Sequence, residues 1–213
     1  MDWMEGNIMN YYIDFDNTLY DTAILSKDMC NFIALKISQK TDKLLEECEK
    51  EVESSFNREH IYNIYKLAKF FCKKYSLTYK ELKKGINEII LDGSEYVFAD
   101  SIKFLEDLKQ KGHTIYILTY VTKESLPYQL LKLNGSGIAS YVDDIIVSST
   151  YKYELNLDYE NGIFIDDNPR DLLGLYSKNP IQVIRIKRPN NKYSIKEINI
   201  NIEEYTSLEE IKL

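Results

Sequence analysis

The sequence YYIDFDNTLYDT, residues 11–22, joins an apolar run to two closely spaced acidic residues. The β-branched and aromatic run over residues 8–15 is too short for a helix and predicts a strand, and the Asp-Asn-Thr after it has turn chemistry. Asp14 and Asp16 therefore lie at the carboxyl end of a predicted strand. Like charges this close repel each other, so the stretch predicts that they share a bound counter-ion.

A helical insertion follows this strand. Between residues 26 and 91 apolar residues recur three and four positions apart, with frequent Lys and Glu between them. Helices are predicted over residues 26–40, 41–57, 58–76 and 78–93. No strand pattern separates them, so residues 21–95 are predicted to form an α-helical module of their own.

The second half of the chain alternates helices and strands. A helix opened by Asp100 and closed by Gly112 comes first, and the later strands are predicted over residues 113–120, 144–149, 162–167 and 181–187, with helices over 123–135 and 169–177. This alternation predicts an α/β fold, a Rossmann-like three-layer sandwich with a mainly parallel central sheet. Residues 1–20 and 96–213 would form this core. An edge strand and a short helix capped by Ser207 and Glu210 are expected near the end.

Composition narrows the function classes. A formal charge of −7 argues against nonspecific nucleic-acid binding, which needs clustered Lys and Arg. The three cysteines, Cys30, Cys48 and Cys72, form no CxxC pair and predict reduced thiols. No apolar run reaches membrane-span length, and the start MDWMEGN lacks signal-peptide features, so a cytoplasmic protein without membrane contact is expected. The oligomeric state is left open.

The predicted strand ends carry polar residues that would meet at one sheet edge, because parallel strands end on the same side. These are Asp14 and Asp16, then Thr119, then Ser148 and Ser149 with the nearby Lys152, and finally Asp166 and Asp167. Four carboxylates at one edge would repel one another, and a hard divalent cation bound among them would offset this repulsion. Mg²⁺ prefers such oxygen ligands and leaves positions for a substrate phosphate.

In these residues the sequence resembles the phosphatases of the haloacid dehalogenase-like superfamily of hydrolases. Residues 14–19, DFDNTL, fill every position of the D-x-D-x-T-L motif, and Thr119 in YILTY matches the second motif. FIDDNPRD, residues 164–171, matches the acidic motif. The resemblance covers residues 8–22 and 96–187, and it implies that residues 21–95 are a helical cap inserted after the first motif.

The resemblance implies a Mg²⁺-dependent phosphomonoester hydrolase. Asp14 would be the nucleophile that forms an aspartyl-phosphate, and Asp16 would act as general acid and then general base. Thr119 would bind the phosphoryl oxygens. The substrate would be a small phosphorylated metabolite such as a sugar phosphate, a nucleotide or a phosphoglycolate-like acid.

The resemblance also implies metal ligands and a lysine. Asp14, the backbone carbonyl of Asp16, and Asp167 would bind Mg²⁺, while Asp166 would share the ion or support its ligands, and Asp171 would orient neighbours or cap a short helix. The family's lysine is either Lys152 or Lys123. Thirteen residues separate Lys152 from Asp166, which predicts that the helix usual before the acidic motif is missing or reduced.

The same residues bear on several alternative functions. A hydrolytic dehalogenase of this superfamily lacks the second Asp of D-x-D, so Asp16 argues against it. A signalling receiver domain has its acidic pair before the phosphoacceptor, whereas Asp166 and Asp167 come last. A phosphomutase of the same superfamily, or a noncatalytic protein that binds a phosphorylated ligand on this fold, remains an alternative.

Overall fold

The computed structural model describes residues 8–58, 63–157, 159, 161–178, 182–189 and 191–212. The chain divides into two compact units. An α/β unit comprises Met1–Asp21, Val97–Glu124 and Gly137–Leu213, and a helical unit comprises Thr22–Tyr96 and Ser125–Ser136.

The α/β unit is built on a parallel sheet. Its six described strands are β1 (Asn10–Ile13), β2 (Thr114–Tyr120), β3 (Asp144–Ser148), β4 (Gly162–Asp166), β5 (Gln182–Ile186) and β6 (Glu203–Tyr205), in the order β3-β2-β1-β4-β5-β6. Every pairing between neighbours is parallel. The predicted α/β fold is confirmed, and β6 is the expected edge strand.

Strand β1 lies at the centre of the sheet, and its register aligns the acidic residues. Ile13 pairs with Ile117 of β2 on one side and with Ile165 of β4 on the other. Asp14 and Asp166 each come directly after a member of the second pair, so they lie level with each other. The strand order reverses at β1, and in open α/β sheets ligands bind beyond the carboxyl ends of the strands at such a point.

Two helices of the α/β unit cover the sheet. Helix α5 (Ala99–Gln110) packs against β2 and buries Phe104, Leu105 and Leu108. Helix α7 (Pro169–Tyr176) joins a buried cluster formed by Tyr12, Leu118, Phe164, Leu172, Leu175 and Val183. Successive strand residues point to opposite faces, so Tyr12 and Phe164 face α7 while Ile13 and Ile165 face away from it.

The helical unit has its own core. It contains α1 (Thr22–Thr41), α2 (Leu45–Arg58), α3 (Ile64–Tyr75), α4 (Tyr79–Leu91) and α6 (Leu126–Ser136). Helix α6 approaches the end of α4 closely, because a Cβ on Gly135 would lie 2.0 Å from the carbonyl oxygen of Ile90. Cys30, Cys48 and Cys72 are free thiols. None of the described helices has the length and apolar character of a membrane span.

A buried ion pair joins four segments of the α/β unit. The Arg188 guanidinium, after β5, donates to both carboxylate oxygens of Asp100 at 2.7 and 2.8 Å, and its Nε and Nη2 donate to the Thr18 carbonyl oxygen. Asp100 also accepts from the Ser207 hydroxyl and the Leu208 backbone N–H. The loop after β1, the start of α5, the segment after β5 and the C-terminal turn are thus held together.

Asp100 does not open α5 as the sequence suggested. Phe98 occupies the N-cap position, and Asp100 lies buried in the first turn, where it serves the ion pair. Ser207 does form the predicted capping box with Glu210, in a short 3₁₀ turn. Burial would raise the pKa of Asp100, but hydrogen bonds from Arg188, Ser207 and Leu208 outweigh burial and hold that pKa below its ordinary value.

Replacing Asp100 by Asn should destabilise the fold. At pH 7 we expect a loss of about 3 kcal/mol in the free energy of unfolding, because the buried Arg188 charge loses its partner. Since the pKa of Asp100 is depressed on folding, the ionised carboxylate stabilises the protein above pH ~4, and this contribution shrinks as the pH falls further. Urea denaturation at pH 7 and pH 3 checks both points.

The matched control is Asp107→Asn on the same helix, since no ion pair is recorded for Asp107 among the described residues. A variant of Asp100 as stable as wild type at pH 7 would show that the ion pair contributes nothing net.

Candidate active site

One cleft at the carboxyl edge of the sheet gathers the predicted site residues. It lies in the α/β unit, and its lining comprises Asp14, Asp16, Asn17, Thr119, Tyr120, Lys152, Asp166, Asp167, Asn168, Arg170, Asp171 and Tyr193. The cleft therefore brings together six of the predicted site residues, Asp14, Asp16, Thr119, Lys152, Asp166 and Asp167, whereas the alternative lysine, Lys123, does not line it. Ser148 and Ser149 are not among the lining residues. The Ser148 hydroxyl donates to the Thr150 carbonyl and so closes its own turn.

The turn after β1 keeps both of its carboxylates in the cleft. The Phe15 carbonyl accepts hydrogen bonds from the backbone N–H groups of Leu19 and Tyr20, and the Asn17 N–H donates to the Tyr20 carbonyl at 2.7 Å. Asn17 has a φ of 58°, a left-handed conformation that Asn adopts more readily than most residues. The chain thus reverses within a few residues, and Asp16 stays beside Asp14.

Three carboxylates form a buried cluster. Oxygen atoms of Asp14, Asp166 and Asp167 all lie within 4.8 Å of one another, and each residue is at most 5% exposed. Asp16 lines the same cleft but is only partly buried. A compact set of carboxylate oxygens at an open cleft has the donor chemistry that a hard divalent cation such as Mg²⁺ requires.

Lys152, and not Lys123, lies in this cluster. Its Nζ contacts the Asp14 carboxylate and lies 2.7 Å from Asp166 Oδ2, and the residue is 2% exposed. Lys123 is exposed. Lys152 begins a short 3₁₀ turn over Lys152–Glu154, and the described residues between β3 and β4 contain no α-helix. The absence of an α-helix from these described residues agrees with the short spacing between Lys152 and Asp166.

One lysine does not balance the cluster. Burial raises the pKa of Asp14 well above its ordinary value, Lys152 lowers it only in part, and Asp166 and Asp16 raise it further. Burial also raises the pKa of Asp167, and repulsion from Asp14 and Asp166 adds to the effect. For Lys152 burial acts to lower the pKa, but the neighbouring carboxylates outweigh burial and raise it. The site therefore favours additional positive charge.

Asn191 is a residue of the site that no sequence motif indicated. Its side chain is buried and donates a hydrogen bond from Nδ2 to Asp167 Oδ2. The loop that carries it is held by Arg185, whose guanidinium donates to the carbonyl oxygens of Tyr193 and Lys196 at 2.7 Å. The sequence feature that could have indicated Asn191 is its position after β5, because a loop that follows a parallel strand starts at the same sheet edge as the acidic residues.

Asp171 orients its neighbours and does not cap α7. Its Oδ2 accepts from Asn168 Nδ2 at 3.1 Å and from Arg170 Nη2 at 3.3 Å, whereas Asn168 is the N-cap and accepts from the Arg170 backbone N–H. The other oxygen, Oδ1, is buried without a hydrogen-bond partner among the described residues. An unsatisfied buried carboxylate oxygen next to the acidic cluster is a second sign that a cation or its water belongs there.

No family model and no curated protein matches the sequence, but solved structures match the fold over nearly its whole length. A haloacid dehalogenase-like phosphatase from Thermococcus onnurineus aligns with a TM-score of 0.61 at 22% identity, covering 95% of both chains. The protein has the haloacid dehalogenase-like fold. YfnB from Bacillus subtilis, solved with magnesium bound, has the same fold with a TM-score of 0.59 at 16% identity over 96% of this chain and 97% of its own.

A third solved structure that shares the fold contains a phosphorylated ligand. It is a variant of CbbY from Rhodobacter sphaeroides in complex with xylulose-1,5-bisphosphate, and it aligns with a TM-score of 0.53 at 12% identity over 94% of this chain and 95% of its own. At these identities the likeness establishes the shared fold.

Removing one charge from the cluster should stabilise the protein when no divalent cation is present. Asp167 has a pKa raised by folding, so its ionised form destabilises the folded state above that pKa, and the cost vanishes below the unfolded value near pH ~4. Asp167→Asn removes this cost while its amide oxygen can still accept from Asn191. We expect a gain of about 1 kcal/mol in the free energy of unfolding at pH 7 in EDTA.

Thermal and urea denaturation at pH 7 and pH 4 provide the measurement, and the gain should disappear at the lower pH. Asp144→Asn, an exposed change at the opposite end of the sheet, is the control. A loss of stability at pH 7 in EDTA would contradict the charge imbalance inferred here.

Proposed function

We propose that the protein is a Mg²⁺-dependent phosphomonoester hydrolase that acts through an aspartyl-phosphate on a small phosphorylated metabolite. The observation that carries the proposal is the buried cluster in which Lys152 contacts Asp14 and Asp166, with Asp167 adjacent. Its place at the strand-order reversal of a haloacid dehalogenase-like fold supports the assignment, as do a phosphatase and a bisphosphate complex among the structures that share this fold.

The residues present fit a magnesium site. Asp14 and Asp167 would hold the ion together with the backbone carbonyl of Asp16, and Asp166 would share it or stay on Lys152. The raised pKa values of Asp14 and Asp167 support this assignment, because a cation would relieve the repulsion that raises them. When bound, Mg²⁺ supplies charge neutralisation for the cluster and for the substrate phosphate. The magnesium-bound YfnB structure adds support by analogy.

In the proposed reaction an Asp14 carboxylate oxygen attacks phosphorus while the ester P–O bond breaks. Asp16 gives its proton to the leaving oxygen, and it then takes a proton from the water that attacks the aspartyl-phosphate, which releases inorganic phosphate and restores Asp14. Lys152 holds the Asp14 side chain and offsets the negative charge that accumulates beside it. The Thr119 hydroxyl, buried at the end of β2, would donate to a phosphoryl oxygen.

We also propose that residues 21–95 act as a cap for a core formed by residues 1–20 and 96–213. A cap of this kind would exclude water from the cleft until the aspartyl-phosphate has formed. It would also contribute to the choice of substrate. The helical unit, Thr22–Tyr96 with Ser125–Ser136, supports this role because it is compact and buries apolar residues of its own.

Phosphate release is the first test. Wild-type protein should hydrolyse p-nitrophenyl phosphate and members of a panel of small phosphomonoesters only when Mg²⁺ is present. Asp14→Asn should reduce kcat by at least about 10³-fold, because the amide cannot act as the nucleophile. Asp144→Asn is the matched control and should retain wild-type activity.

The alternatives give different outcomes in the same experiment. A phosphomutase would isomerise a sugar phosphate, visible by ³¹P NMR, with little phosphate release. A noncatalytic protein would bind phosphorylated ligands without turnover in either variant. Either result, obtained with folded protein that binds Mg²⁺, would overturn the hydrolase assignment.

Asn191 should support metal binding by Asp167. Its hydrogen bond lowers the pKa of that carboxyl group, whose main perturbation is burial, so losing the bond should let protons compete better with the metal. We expect Asn191→Leu to weaken Mg²⁺ binding about tenfold, measured by calorimetry at pH 7. Asn134→Leu, an exposed position in the helical unit, is the control. Unchanged affinity would show that Asn191 only packs the loop.

A further inference from the structure

The mouth of the cleft carries a guanidinium group that the proposed reaction does not use. Arg170 is the second residue of α7, its side chain is 46% exposed, and it lines the cleft together with Asp14, Thr119 and Lys152. It is a different kind of cation from Lys152, which is buried and already contacts two carboxylates. Arg170 is therefore placed where a bound molecule could reach it.

A tyrosine surface holds this guanidinium. The central carbon of Arg170 lies 4.3 Å from the ring centre of Tyr151 and 5.5 Å from that of Tyr120. Tyr120 and Tyr151 are themselves stacked, with ring centres 5.2 Å apart and an angle of 23° between the planes. Stacking on aromatic rings restricts the guanidinium to one region and leaves its edges available for hydrogen bonds.

The guanidinium has hydrogen-bonding capacity to spare. Within the described part of the chain, the hydrogen bond recorded for it runs from Nη2 to Asp171 Oδ2 at 3.3 Å, a long contact. Arg carries five N–H donors in a planar fork that matches the two oxygens of a carboxylate or phosphate. A fixed, partly exposed Arg at the edge of a cleft is thus suited to bind an anion.

Two lysines contact a tyrosine of the cleft lining. Tyr193 lines the cleft, and the Nζ atoms of Lys192 and Lys196 lie 4.8 and 4.9 Å from its ring centre. The chain as a whole carries a formal charge of −7, so the positive charges of Arg170, Lys192 and Lys196 are opposite in sign to the net charge. The inner cleft is acidic and suits a metal and one phosphate, while the outer edge favours a further negative group.

We propose that Arg170 binds a second anionic group, a phosphate or a carboxylate, on the part of the substrate that leaves in the first step. The inference rests on the proposed phosphatase function and narrows its substrate class to phosphomonoesters with a second acidic group. Tyr151 is a positioning residue, because it acts through Arg170.

A matched series of esters tests this subsite. The compounds are 3-hydroxypropyl phosphate, 3-phosphooxypropanoate and propane-1,3-diol bisphosphate, which differ in ending on a neutral hydroxyl, a carboxylate or a phosphate. For wild-type protein with Mg²⁺ we expect kcat/KM for at least one of the two anionic esters to exceed that of the neutral ester about tenfold or more. The better of the two identifies the preferred anion.

Substitution of Arg170 should change kcat/KM only for the two anionic esters. Arg170→Met should lower their kcat/KM about tenfold to hundredfold, mainly through KM, and leave the neutral ester nearly unchanged. Arg170→Lys should recover part of the loss, since it restores charge but not the planar fork. Tyr151→Leu should also lower kcat/KM for the two anionic esters. Lys178→Met removes a charge that lies over Tyr153 outside the cleft lining and is the control.

Two results would overturn the subsite. One is equal activity of wild type on all three esters, and the other is a loss in Arg170→Met that is the same for all of them, which would place Arg170 on the transferred phosphoryl group or on Asp171. Thermal denaturation checks that each variant is folded.

Calorimetry separates failure of the subsite from failure of the proposed function. Asp14→Asn protein is titrated with the bisphosphate and the neutral ester, with and without the Arg170→Met change. Tighter bisphosphate binding that depends on Arg170, together with wild-type protein that hydrolyses none of the esters, would overturn the hydrolase and retain the anion subsite. Turnover of the esters that does not depend on Arg170 would retain the hydrolase and overturn the anion subsite.

Discussion

The contacts of Lys152 with Asp14 and Asp166 are the interaction on which the cleft depends. Three carboxylates are buried within 4.8 Å of one another, and burying ionised groups is costly unless each charge has a partner. Lys152 reduces the cost without removing it, which is why the pKa values of Asp14 and Asp167 remain raised. The fold therefore carries a local excess of negative charge that a cation can offset.

Two buried arginines hold the loops around this cluster. Arg188 joins the Thr18 carbonyl and Asp100, so it fixes the turn that follows the first acidic motif. Arg185 holds the loop that brings Asn191 to Asp167. Because both arginines bind backbone carbonyls, they position main chain as well as side chains around the acidic residues.

The cleft combines a buried acidic cluster with a partly exposed cation. The inner part is formed by the carboxylate cluster with Lys152, and the outer edge carries Arg170 on its tyrosine support. An ester with one phosphate and one further acidic group would match both parts. The arrangement links the proposed chemistry to a proposed choice of substrate through electrostatics alone.

The sequence by itself determined the elements, the parallel sheet and the acidic residues at its edge, because apolar periodicity and strand-end position depend on residues close together in the chain. Tertiary structure alone placed Lys152 and not Lys123 beside Asp14, made Asp100 the partner of Arg188, and brought Asn191 to Asp167. These side chains act across strands and loops that are distant in sequence. Their roles therefore exist only once strand register and loop packing bring charged groups to within hydrogen-bonding distance.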